Sequence, residues 1–142
     1  MILRNVALLL LLVGAGALAE DRAKGTIPVN EGLNGAWFDP TTPGQGYVIE
    51  VLPESDSVFL AWFTFSAEGS KVGAAGQRWL TGQGPIVGSS VALTLTETSG
   101  GRFDDPAPVS NRSVGDAILR FSGCADATIE FSVEGQPSGT QT

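Results

Sequence analysis

The strongest constraint on this chain is an apolar–polar alternation of period two that recurs in short runs. Tyr47, Ile49 and Val51 alternate with Val48, Glu50 and Leu52, and Val91, Leu93 and Leu95 with Ala92, Thr94 and Thr96. Ala117, Leu119 and Phe121 alternate with Asp116, Ile118 and Arg120. Ala127, Ile129, Phe131 and Val133 alternate with Thr128, Glu130, Ser132 and Glu134. Successive strand side chains point to opposite faces, so each run has the pattern of a half-buried antiparallel strand. Glycine-bearing segments at 68–70, 82–84, 88–89, 99–101 and 123–126 separate the runs. They read as turns, because glycine reaches positive φ without a steric penalty. Past the N-terminal segment no stretch carries a helical period. The chain is therefore expected to be all-β, an antiparallel meander closed as a small up-and-down barrel, with a β-sandwich as the alternative.

Residues 57–66, "SVFLAWFTFS", differ from the other runs. Phe59, Ala61, Phe63 and Phe65 fall on one face, and Val58, Leu60 and Trp62 on the other. A strand apolar on both faces is expected to be central or covered on both sides, or to line a cavity or partner surface with its second face.

"GAWFDPTTPGQGYVIEV", residues 35–51, crowds prolines and glycines between aromatic residues. Pro40 has no amide hydrogen and biases Asp39 towards an extended backbone, which ends the first strand. The Asp39 carboxylate is suited to an Asx-turn, and Pro43-Gly44 to the central positions of a type II turn. Gly46 lets the chain bend into the strand that begins at Tyr47. Each special residue thus has a conformational reason to be there, and a sharp turn is the leading reading over a binding loop.

At the N-terminus, Arg4 precedes an apolar stretch and then Ala17-Leu18-Ala19, the pattern of a secretory signal cleaved before Glu20. The apolar stretch is shorter than the roughly 20 residues a membrane helix requires. Residues 1–19 are therefore expected to be removed, 20–34 to form a flexible lead-in, and 35–142 to form a single β-domain in the periplasm or outside the cell, with no membrane span remaining. The formal net charge is −7, and cleavage removes a basic residue. Such a surface repels nucleic acid and anionic lipid.

The sequence has no histidine and one cysteine, Cys124. Histidine-based triads and zinc sites lack their base and ligands, and no internal disulfide is possible. An unpaired cysteine is either a small buried hydrophobe or a cross-link between copies. Asp104-Asp105-Pro106 lacks the spacing of a calcium loop, and no carboxylate pair stands out for glycoside hydrolysis. Asn111-Arg112-Ser113 is an N-glycosylation triplet where the host glycosylates. No catalytic residue, metal or cofactor is indicated.

The expected function is a non-catalytic binding module with an aromatic-lined face. Trp62, Trp79, Tyr47, Asp39 and Gln83 are the candidate contacts for a glycan or flat small molecule, aromatic rings supplying area and the polar groups hydrogen bonds. Core packing of these aromatics, Trp37 included, is the competing reading. The alternative function is a protein-interaction or inhibitor module acting through loops or an open sheet edge.

Gly35-x-Trp37-Phe38-Asp39-Pro40, Pro43-Gly44-x-Gly46, Trp62-Phe63-Thr64-Phe65 with Gly69, Trp79-Leu80-x-Gly82-Gln83-Gly84 and the paired ending "AILRFSGCADATIEFSV" together resemble an exported bacterial β-domain found singly or in tandem in proteins of unknown function. The resemblance covers most of the chain after the leader and implies export and a β-rich fold, without an activity. Residues 71–77 are longer and richer in glycine than that pattern, and the ending at "GQPSGTQT" is early, as if a last short strand were missing. At the level of architecture Gly35-Ala36-Trp37 also resembles the first strand of calycin-type barrels. There a late arginine packs over the tryptophan; here Arg120 would be that residue, yet alternation puts it on the polar face. Mass spectrometry of the protein recovered from its own host is expected to show a chain beginning at Glu20.

Overall fold

The computed structural model describes residues 25–67 and 73–142. The expected leader over 1–19, its cleavage point and the expected turn at 68–70 lie outside the described residues. The strands are β1 (Gly35–Trp37), β2 (Gly46–Leu52), β3 (Ser57–Phe65), β4 (Gln77–Val87), β5 (Ser90–Arg102), β6 (Asp105–Gly123), β7 (Asp126–Val133) and β8 (Gly139–Gln141). Each pairs antiparallel with the next, giving one eight-stranded meander that curls into a half-barrel. A single sheet excludes the sandwich alternative. Among the described residues no ladder joins β1 to β8, and no helix is long and apolar enough to cross a membrane.

The concave face is built from the alternating apolar residues. Ile49 and Val51 of β2, Val91, Leu93 and Leu95 of β5, Ala117, Leu119 and Phe121 of β6, and Ile129 and Val133 of β7 are all buried in one cluster. Val58, Leu60 and Trp62 of β3 and Leu80 of β4 join them. Each large side chain so buried contributes on the order of 1.5–3 kcal/mol. Aromatic contacts also cross the concave face. Trp37 of β1 meets Phe121 of β6 at 5.3 Å and 62°, and Trp62 of β3 meets Phe131 of β7 at 4.9 Å and 65°. Both are edge-on geometries that aromatic quadrupoles favour.

Several sequence expectations are corrected. Within the expected lead-in, Leu33, at the end of a 3-10 turn, is only 2% exposed. Ile27 and Val29 pack on the core, and the Ile27 amide donates to the Phe121 carbonyl at 2.9 Å. Residues 82–84 are not a turn but the middle of β4, where the glycines admit close neighbours. A Cβ on Gly84 would stand 1.7 Å from the Ala92 carbonyl oxygen, and one on Gly82 would stand 2.9 Å from a Leu95 methyl. Residues 99–101 lie inside β5, where the pairing with β6 shifts between Gly100 and Arg102; the chain turns only at Phe103 and Asp104. A second shift opposite Leu95 leaves Val114 as the extra residue of a bulge, which bends β6 and increases the curl. The ending is not short of a strand, because Gly139–Gln141 pairs with β7. β3, by contrast, is internal as expected, and its second face is partly open. Phe63 and Phe65 are 45% and 37% exposed on the convex face.

The two edge strands, β1 and β8, have three residues each, and so offer little template for edge pairing. Gly84→Ala is expected to lower stability by about 3 kcal/mol, since backbone on a neighbouring strand would have to move, with a fall in melting temperature of roughly 10 °C. Gly25→Ala, where an added Cβ meets nothing within 4 Å, is the neutral control in the same calorimetric comparison.

Candidate functional site

Because the first and last strands are not joined, a cleft of about 470 Å³ opens between them. Trp37, Phe38 and the loop after β1 form one wall, with Gly46, Tyr47 and Ile49 of β2. The opposite wall comes from Leu119 of β6, the β6–β7 turn, Ala127 and Ile129 of β7, and Gln141 of β8. The stretch 35–51 that drew notice in the sequence is thus both a turn and a wall of this cleft.

Its local chemistry explains its rigidity. The Asp39 carboxylate accepts from the Thr41 amide at 2.8 Å and the Thr41 hydroxyl at 2.7 Å through the same Oδ1, making the expected Asx-turn. The Thr42 amide closes the turn on the Asp39 carbonyl at 3.1 Å. Gly44 sits at φ 82°, the value that position i+2 of a type II turn demands. The hydroxyl of buried Thr64 donates to Gln45 Oε1 at 2.7 Å, which anchors the loop to β3. The bonds to Thr41, the side-chain bond first, hold the Asp39 carboxyl below its ordinary value of 3.8, while slight desolvation opposes them.

Behind the loop, the Trp37 indole donates to the Leu33 carbonyl at 3.0 Å. Tyr47 packs on Trp62 at 5.3 Å, and its phenol donates to Gln141 Oε1, spanning the cleft from β2 to β8. Burial pushes the Tyr47 phenol well above its ordinary pKa of 10.0, so it stays a neutral donor. Ile49, Leu119 and Ile129 give the cleft an apolar floor, and Asp39, Gln45, Tyr47 and Gln141 give it a polar rim.

The five residues nominated from sequence do not form one site. Asp39 and Tyr47 line the cleft. Trp62 is only 1% exposed and belongs to the core. Its indole nitrogen has no hydrogen-bond partner among the described residues, a cost of about 1–3 kcal/mol set against the packing of Tyr47 and Phe131 on its ring. Trp79 pairs with Phe63, not with Trp62, and therefore lies on the convex face, 61% exposed and stacked on Phe63 at 6.0 Å and 18°. Gln83 is on the same convex face, opposite Phe59 and Thr94. Phe38, Gln45 and Gln141 of the cleft were not nominated. Phe38 and Gln45 carried a sequence signal, their place in the crowded stretch 35–51.

Two further comparisons limit what the rest of the surface does. Arg120 pairs with Glu130 at 2.8 Å on the convex face, and Phe121 takes the place over Trp37, so the arginine–tryptophan packing of calycin barrels is not reproduced. Towards the far end of the sheet, Arg78 and Arg112 both bond Glu97, at 3.0 and 3.2 Å, and Arg112 also bonds Glu134. Cations and anions balance there, which makes it a structural tie between strands. Cys124 is exposed in the turn between β6 and β7, not a buried hydrophobe.

Comparison of the chain with protein-family models, curated proteins and solved structures found no match. The geometry of the loop gives its own check. Carboxyl NMR should show Asp39 titrating below 3.8, and Thr41→Val, which removes the larger of the two bonds, should move the midpoint up towards that value. With a depressed folded-state pKa, the turn's contribution to stability is present above the unfolded value and is lost as pH falls through the folded one.

Proposed function

We propose that this chain is an exported, non-catalytic domain that binds a small molecule in the cleft between the two ends of its sheet. One observation carries the reading: a concavity of about 470 Å³, with an apolar floor and a few polar groups fixed at its rim. That volume and make-up are those of small-molecule sites in general. The fold is read as a small up-and-down barrel with one seam left unzipped, the Tyr47–Gln141 bond standing where a strand pairing would close it. The absence of histidine from the sequence favours binding over catalysis. Export rests on the leader read from residues 1–19. The acidic charge disfavours nucleic acid as a partner.

A second reading has its own observation. The exposed Phe63–Trp79 stack, with Gln77, Thr81 and Gln83 on the same face of β4, is a flat platform suited to a glycan. For the edge-pairing alternative the sheet offers two edge strands, β1 and β8, of only three residues each, a short template.

Titration of the purified protein with small apolar molecules and soluble glycans, followed by amide NMR, separates the two. In the cleft reading, small molecules shift the signals of Trp37, Gln45 and Tyr47. Ala125→Trp, at an exposed rim position, weakens binding at least about tenfold with an unchanged melting temperature. If glycans bind instead and Trp79→Ala abolishes it, the convex platform is the site. Absence of binding by either class overturns the proposal.

A further inference from the structure

The chemistry of the cleft narrows what it would hold. Its charged side chains among the described residues are Asp39 and Asp126, and no lysine or arginine lines it. An anionic ligand such as a fatty acid or an organic phosphate would meet the Asp39 carboxylate with no lysine or arginine among the described lining residues to receive it. Asp39 in particular is ready for a partner. Thr41 occupies its Oδ1, and Oδ2 has no partner among the described residues. The turn that positions it is locked on both sides, so little ordering remains to be done on binding.

Beside that carboxylate stand three aromatic rings of the same wall, Trp37, Phe38 and Tyr47. Phe38 is 70% exposed, an unusual disposition for a ring that the core does not use. Aromatic faces attract cations, most of all where water is partly excluded. On the opposite wall Leu119, Ala127 and Ile129 present apolar surface, with Asp126 beside them at the β6–β7 turn. The cleft thus sets a carboxylate and aromatic faces on one wall against apolar surface on the other. A bare metal ion does not fit this arrangement. No group of three or more acidic or metal-ligating side chains is found among the described residues, whereas hard divalent cations take six or more oxygens.

We propose that the ligand of the cleft is a small organic cation, a protonated amine or quaternary ammonium on an apolar body, with its charge at Asp39 and the Trp37–Phe38–Tyr47 wall and its body on Ile49, Leu119 and Ile129. This rests on the reading of the cleft as a binding site, and it adds the class of molecule that the site selects. The overall acidity of the chain, net −7, acts in the same direction by raising the local concentration of cations.

A charge-matched series tests it: phenethyltrimethylammonium, phenethyl alcohol and phenylpropionate, each titrated calorimetrically into the full protein with NMR mapping of the shifted residues. The ammonium compound is expected to bind at least about tenfold more tightly than the alcohol, and the carboxylate more weakly than both. Asp39→Asn keeps the oxygen that accepts from Thr41 and so keeps the turn; it is expected to erase most of the cation's advantage over the alcohol. Raising the salt concentration should reduce the same advantage. Equal binding of cation and alcohol, or an unchanged ratio in Asp39→Asn, overturns the cationic assignment and leaves the cleft reading standing. Tightest binding by phenylpropionate also overturns it. If none of the three shifts a cleft residue, both proposals fall together.

Discussion

Everything in this structure follows from a sheet whose two ends are not joined. An eight-stranded meander buries its concave face only if the ends come round towards each other, and without a ladder between β1 and β8 that work falls to side chains. The Trp62–Phe131 and Trp37–Phe121 contacts reach from the first strands to the late ones. The amide of Ile27 and the phenol of Tyr47 add polar ties at Phe121 and Gln141. Aromatic pairs of this kind supply on the order of 1 kcal/mol beyond their area, enough to set curvature when several act together. The same arrangement explains why Trp62 is kept although its indole nitrogen is unpartnered. A smaller residue would satisfy hydrogen bonding and lose the bridge.

A seam held by side chains leaves space that a ladder would fill. The strands of a closed pair stand under 5 Å apart, whereas here a cleft of about 470 Å³ separates the two walls. The far end of the sheet is treated differently. The Arg78, Glu97, Arg112 and Glu134 network ties β4, β5, β6 and the end of β7, with charges that cancel one another. One end of the half-barrel is thus tied by balanced charges, and the seam is lined by apolar and aromatic side chains with Asp39 at its rim.

The alternation made the buried set of β2, β5, β6 and β7 legible, because a single face of each strand meets the core. It failed where glycine or exposure interrupts the signal. In β4, Gly82 and Gly84 resemble turn residues, yet they are there because the neighbouring strand passes too close for a Cβ. The outer parts of β5 and β6, with pairs such as Thr98 and Asn111, reach beyond the core and bury nothing, so no period marks them. Trp62 and Trp79 were grouped because both are indoles in adjacent apolar runs. Only the register, Phe63 opposite Trp79, sends them to opposite faces. Apolar Leu80 beside Trp79 leaves the sequence ambiguous on that point. Gln141 had no signal at all, since its role depends on where β8 docks.

The opening loop shows why conformational and functional readings of a turn are not rivals. Pro40, the Asx-turn at Asp39 and the positive φ of Gly44 account for the backbone, and by the sequence alone that account looks sufficient. A residue whose backbone is fixed by its neighbours is also one whose side chain is held where a partner would find it. Asp39 uses one oxygen to make the turn and keeps the other, and Gln45 uses its carbonyl on Thr64 and keeps its amide. Both side chains keep hydrogen-bonding capacity beside exposed Phe38. The rigidity that first argued against a binding role is the physical condition for one, because groups already ordered lose little entropy when a ligand arrives.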